Sequence, residues 1–258
     1  TIHTLIKRQL KHYTRFMRFM ILLMFGLFPL AASANCVVML HGLARSDSSF
    51  LVMQETLERQ GYQVENAGFA STSVEIEHLS GATIDPAVEK CGDQSVHFVT
   101  HSMGAILLRH WTQLNPEFEI DTSVMLGPPN HGSEIVDKLG ALPPFRWVNG
   151  PSGLQLKTGE AGLPDRLGPV NFSVGVIAGS RSLNPVFSVL IPGRDDGKVS
   201  IVSTHVSGMA DHIVLPVTHT FIMNNPIVIA QTLAFLQNGQ FDQKLTYGAA
   251  IQRLALTD

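Results

Sequence analysis

The sequence predicts a single α/β domain on a mostly parallel sheet, with helices covering both faces. Two observations carry that expectation. Short, continuously apolar runs alternate with helix-patterned stretches along the chain, and strands of that kind are buried on both faces. One such run, Val96–Thr100, also passes straight into a helical pattern across His101-Ser102-Met103-Gly104, the strand–turn–helix setting of an exposed nucleophile.

The elements follow in order. Val37–Leu40 reads as the first strand, and helical spacing (Phe50, Met53, Leu57) runs over 46–60 until Gly61. Tyr62–Glu65 is a second strand. Residues 74–90 are mostly helical, although Gly81 and Pro86 weaken the pattern. After the strand at 96–100, a helix over 103–114 stops at Asn115-Pro116. Further strands are expected at 122–126, 172–178 and 212–217, with a last helix over 225–236 that carries Pro226 in its first turn. The chain after Gly239 reads as a tail. The stretch from Gly140 to Gly168 breaks the alternation. It is rich in proline and glycine, with Leu142, Phe145, Trp147, Leu154 and Leu156 scattered through it. A long irregular segment inside a compact domain is expected to be functional or mobile. It is read here as a small cap or rim, with Phe145 and Trp147 as candidate substrate-binding residues, and a plain surface excursion as the alternative.

Composition narrows the classes. The net charge is −3, and no Lys/Arg stripe follows the N-terminal region, so a nucleic-acid partner has no electrostatic footprint. The first 34 residues stand apart. Lys7, Arg8, Lys11, Arg15 and Arg18 precede an apolar run from Phe19 to Leu30 and then Ala32-Ser33-Ala34. This pattern reads as a secretory signal peptide cleaved after Ala34, with translation starting at Met17 or Met20, leaving a domain over 35–258 in the periplasm or outside the cell. The alternative, an uncleaved anchor, needs about 20 apolar residues, and the run here is shorter and interrupted by Pro29. Cys36 and Cys91 are the only cysteines. In an exported protein they read as a disulfide worth about 4 kcal/mol in the chain-entropy model, with two buried thiols as the alternative.

The chemistry concentrates in four places. Thr100-His101-Ser102-Met103-Gly104 fits G-x-S-x-G with Thr100 in place of the first glycine, and Ser102 is the candidate nucleophile. Leu40-His41-Gly42-Leu43 ends the first strand. An oxyanion hole needs two converging backbone N–H groups, and Met103 and Leu43 are the candidates. His41 is expected to shape that loop. Asp195-Asp196-Gly197 supplies a candidate acid, with Asp196 preferred and Asp195 expected to be exposed and free to pair with Arg194. The candidate bases are His205, His212 and His219. Catalytic groups gather beyond the carboxyl ends of parallel strands, and only His219, after Leu215-Pro216-Val217-Thr218, lies there. No metal-ligand spacing, glycine-rich dinucleotide loop or phosphate loop is present in the sequence, so neither a metal nor a cofactor is expected.

HGL at 41–43, THSMG at 100–104, GPPNHGS at 127–133, DDGKVS at 195–200 and THTFIMNNP at 218–226 together resemble the bacterial lipase-like α/β hydrolases, including the group similar to the GPI inositol-deacylases. The resemblance implies the α/β-hydrolase fold, with Ser102 as nucleophile, Asp196 as acid and His219 as base, in the order that fold uses. It implies hydrolysis of carboxyl esters, often of lipids, with transient contact with a lipid surface. A thioesterase or acyltransferase would use the same triad, and a catalytically silent binding scaffold would keep the fold alone.

Overall fold

A computed structural model describes residues 35–255. The expected signal peptide at 1–34 lies outside them. Six strands form one sheet: β1 (Cys36–Leu40), β2 (Gln63–Ala67), β3 (Val96–His101), β4 (Ser123–Leu126), β5 (Val174–Arg181) and β6 (Asp211–Thr218). Their order is β2-β1-β3-β4-β5-β6 and every pairing is parallel. The chain reverses its direction of travel across the sheet at β1 and β3. A crevice therefore opens beyond their carboxyl ends.

The continuous apolar runs are explained by burial on both faces. Along β1, Val37 and Met39 join one core cluster, while Cys36, Val38 and Leu40 join another on the opposite face. The first is covered by α1 (Leu51–Arg59) and α8 (Pro226–Asn238), through Met53, Leu57, Ile229 and Phe235. The second is covered by α2 (Ile76–Cys91) and α3 (Met103–Leu114), through Ile84, Ala87, Leu108 and Trp111. A third cluster, with Ile76, Met103, Ile106 and Leu156, lies beneath the 140–168 segment.

Three expectations change. Helix α2 runs unbroken through Gly81 and Pro86, because burial of Ile76, Leu79, Ile84 and Ala87 outweighs the backbone hydrogen bond that Pro86 cannot donate. The 140–168 stretch is not irregular: after α4 (Glu134–Leu139) it forms α5 (Pro143–Leu154), kinked at Gly150, and α6 (Leu163–Arg166). A short α7 (Pro185–Leu190) follows β5. The segment after Gly239 is not a tail. Phe241 is buried with its ring 5.0 Å from Phe235. The buried Gln231 exchanges two hydrogen bonds with the backbone of Asp242. α9 (Tyr247–Ala255) then buries Ala250 completely. Leu254, one turn on, packs against the same core cluster as Phe235 and Phe241.

Cys36 and Cys91 are bonded, with Cα atoms 5.6 Å apart, tying the start of β1 to the end of α2. The loop they close spans 55 positions. Replacing both with serine should lower Tm by on the order of 10 °C, from a loss of about 4 kcal/mol in a domain of this size. Thermal unfolding of the double variant against the oxidised protein measures this. A titre of two free thiols on the unfolded, unreduced protein would refute the bridge.

Candidate active site

The expected residues from four separate places meet at the carboxyl ends of the strands. Ser102 stands between β3 and α3 with φ 52° and ψ −121°, a conformation that non-glycine residues rarely adopt. Its N–H donates to the Leu126 carbonyl at 2.9 Å, which pins the turn to the end of β4. The turn is possible only because Gly104 has no side chain: a Cβ there would fall 2.3 Å from the carbonyl oxygen of Leu40. Thr100 is fully buried beneath the turn, and its Oγ1 has no hydrogen-bond partner within the protein.

The Ser102 hydroxyl donates to His219 Nε2 at 2.9 Å, and His219 Nδ1–H donates to Asp196 Oδ2 at 2.7 Å. Asp196 is held on every side. Its Oδ1 accepts the N–H groups of Lys198 and Val199, and its backbone carbonyl accepts the N–H of His219. Both side chains are almost wholly buried, so the pair interacts in a poorly screened setting. Gly127, at the end of β4, passes beneath this pair with φ 53°; a Cβ there would lie 2.9 Å from Asp196 Oδ2 and 3.1 Å from His219 Nδ1.

Asp195 is buried, contrary to expectation. Its Oδ1 accepts from Ser188 Oγ and from the Gly197 N–H, so it shapes the turn that presents Asp196 instead of pairing with Arg194. His205 and His212 stack on each other with ring centroids 4.0 Å apart, and His212 bonds Thr204. Neither reaches Ser102.

The two candidate oxyanion donors lie on either side of the serine. Met103 is the first residue of α3, so its N–H has no intrahelical acceptor. Leu43 lines the cavity, and Ala44 after it takes φ 53° while donating its N–H to Ser71 Oγ. A strained residue in this loop has the mark of a functional turn. His41 accepts the Phe69 N–H at Nε2, donates from Nδ1 to the Gly42 carbonyl, and stacks on Phe69. It therefore organises the loop as a neutral ring.

Ser102 and His219 open into a cavity of about 440 Å³. Its walls are largely apolar, with Ile135, Val136 and Leu139 from α4 and Phe145 and Val148 from α5. Trp147 does not line it; that side chain points to solvent and is 83% exposed. Helix α5 is docked onto the oxyanion loop, since Ser152 Oγ donates to the Ser71 carbonyl. A larger, more polar depression of about 720 Å³ lies at the opposite ends of the strands, between Gln94, Asp121 and Phe172.

Sequence reasoning missed three residues of the site. His101, behind Ser102, donates from Nε2 to the His219 carbonyl, and its ring centroid is 4.8 Å from that of His219. Arg45 and Lys198 also line the cavity. The signals were present in HGLAR and DDGK, as cations two positions beyond residues already singled out. Among the described residues, no cluster of His, Cys, Asp or Glu could hold a metal ion, and no helix is long and apolar enough to cross a membrane.

No protein-family model matches the chain, and no curated protein sequence matches it. Solved structures do. A phospholipase, PlaB, from Legionella pneumophila superposes with TM-score 0.64 at 17% identity, over 88% of this chain and 63% of that one. A Bacillus licheniformis lipase, BlEst2, in its mature form gives 0.63 at 16%, over 81% and 94%. Lipase B of Aspergillus fumigatus gives 0.64 at 15%, over 87% and 58%. The chain thus spans less than two thirds of the phospholipase and of the fungal lipase. The protein has the α/β-hydrolase fold.

Several histidines are held neutral. Burial pushes His41, His97 and His101 below the usual imidazole value; in His101, repulsion from His219 and Arg45 adds to it. Burial, then His205, lowers His212 to about 4. Below about pH 6.5 the unfolded chain binds more protons at these sites than the folded one, so folding weakens as pH falls. The contribution is complete above that value and is lost as pH drops toward the lowered folded values. Tm should therefore decline steadily from about pH 7 to about pH 5, less steeply in a His212→Gln variant. A flat Tm across that window would contradict neutral burial.

Proposed function

We propose that this protein is an exported serine esterase or lipase that hydrolyses carboxyl esters through Ser102, His219 and Asp196. The observation that carries this reading is the unbroken hydrogen-bonded relay from Ser102 to His219 to Asp196, opening into a mostly apolar cavity. The likeness to lipases and a phospholipase in fold supports it.

His219 Nε2 takes the Ser102 proton as Oγ attacks the ester carbonyl. The N–H groups of Met103 and Leu43 receive the oxyanion, each worth about 3–4 kcal/mol in the transition state. Asp196 fixes the tautomer with Nδ1 protonated and stabilises the imidazolium. His219 then protonates the departing alcohol. Water, activated by the same histidine, attacks the acyl-enzyme and releases the acid.

Ser102→Ala should leave a folded protein whose esterase activity falls by about a thousandfold or more, and His219→Ala should cost nearly as much because the two act as a unit. His205→Ala and His212→Ala should keep most activity. Steady-state hydrolysis of p-nitrophenyl esters reads all four. A serine-reactive fluorophosphonate should label wild type and not Ser102→Ala; an unlabelled wild type would make the protein a silent scaffold.

The apolar walls support acyl-chain binding against α4 and α5. Phe145→Ala should raise KM for octanoyl esters several-fold more than for acetate, by the roughly 1–3 kcal/mol that a pocket contact supplies. Trp147→Ala, outside the cavity, should leave the chain-length profile unchanged. Equal effects of Phe145→Ala on all chain lengths would place the acyl chain elsewhere.

A further inference from the structure

The Ser102 cavity is lined by both apolar and charged groups. The apolar wall comes from α4 and α5, whereas the two cations, Arg45 and Lys198, come from the loops after β1 and after Asp196. Arg45 donates a hydrogen bond from Nη2 to the carbonyl of Thr220 at 2.7 Å and, among the described residues, has no carboxylate within salt-bridge distance. Lys198 stands at the mouth, its surface accessible although protein surrounds it in the concave rim. Its ammonium pKa is lowered first by desolvation, then by Arg45, with Asp196 opposing. That carboxylate is already bonded to His219 and to two backbone N–H groups. Two cations, with Asp196 already engaged by His219 and two N–H groups, focus a positive potential on whatever enters a cleft with low-dielectric walls.

Their placement says which part of a substrate they meet. His219 Nε2 hands its proton to the departing oxygen, so the alcohol leaves on the His219 side of Ser102. Arg45 is anchored to Thr220, the residue after His219, and Lys198 is two residues beyond Asp196. Both cations thus lie on the chain beside the Asp196–His219 pair, which puts them on the leaving-group side. Guanidinium and ammonium groups pair with phosphate and carboxylate oxygens through charge-assisted hydrogen bonds.

Resting on the Ser102 esterase reading, we propose that Arg45 and Lys198 bind an anionic group, a phosphate or a carboxylate, on the alcohol portion of the ester. The substrate is then an acyl ester with a negatively charged leaving alcohol. The test compares kcat/KM for dissolved hexanoyl esters of glycerol 3-phosphate, of glycolate and of glycerol. At least one anionic ester should exceed the neutral one by roughly tenfold, and the gap should narrow with added salt. Arg45→Gln and Lys198→Gln should each cut that anionic-to-neutral ratio by about tenfold, while Arg45→Lys and Lys198→Arg keep most of it. The ratio is internal to each variant, so a partly unfolded sample does not mimic the effect. Preference for phosphate, carboxylate or both supports the subsite and identifies the class. Equal rates on all three esters, or a ratio unchanged in both Gln variants, overturns the subsite and leaves the esterase reading standing. No hydrolysis of any ester by folded wild type overturns the reading beneath it.

Discussion

The left-handed backbone at Ser102 is the constraint on which the rest of the site depends. A non-glycine residue at that φ costs on the order of 1–3 kcal/mol and persists only where its surroundings enforce it. Here the enforcement comes from both neighbours of β3. The Leu126 carbonyl at the end of β4 fixes the Ser102 N–H, and Leu40 at the end of β1 presses against Gly104. Sheet order and nucleophile geometry are thus one problem. Only a strand flanked by two parallel partners can hold the serine from both sides.

The same logic extends outward. Two loops that supply none of the candidate catalytic side chains hold those that do. The stretch from Gly127 to Ser133 passes under the Asp196–His219 pair, and its Ser133 hydroxyl donates to the Lys198 carbonyl. In that stretch the buried Asn130 accepts from Arg109 and donates to the Thr204 carbonyl, joining α3 to the segment before β6. Ser71 receives the Ala44 N–H and, through its own carbonyl, the Ser152 hydroxyl, so the acyl-side helix and the oxyanion loop share one anchor. A shift of α5 therefore reaches Leu43 through Ser71.

Legibility in the sequence followed the range of the interactions. β1 is readable because burial on both faces leaves an uninterrupted apolar run, and β3 and α3 because a local motif joins them. The order of Ser102, Asp196 and His219 could be argued because strand ends confine catalytic groups to one edge of the sheet. What was hidden depended on contacts distant in sequence. Asp195 and Asp196 differ only in which one faces β6, a matter of turn geometry set by Gly197 and Ser188. Phe145 and Trp147 share a helix but face opposite ways, and in a stretch read as irregular no helical period was available to separate them. α9, which turns Ala250 and Leu254 to the core, follows Gly239, a helix-ending residue that reads as the end of the last clear element.

The electrostatics of the site then make sense as a balance that substrate completes. In the proposed reaction the transition state places positive charge on His219, beside Asp196. Burial first, then the charges of His219, Arg45 and Lys198, hold His101 neutral, its ring 4.8 Å from that of His219. In a cavity with apolar walls such charges are weakly screened. On the proposed reading, an anionic leaving alcohol held by Arg45 and Lys198 brings negative charge beside the imidazolium as it forms. Binding energy at the cations is then expressed in the chemical step, not in affinity alone. On this argument the cations discriminate among alcohols through kcat as well as KM, and the apolar wall discriminates among acyl chains mainly through KM.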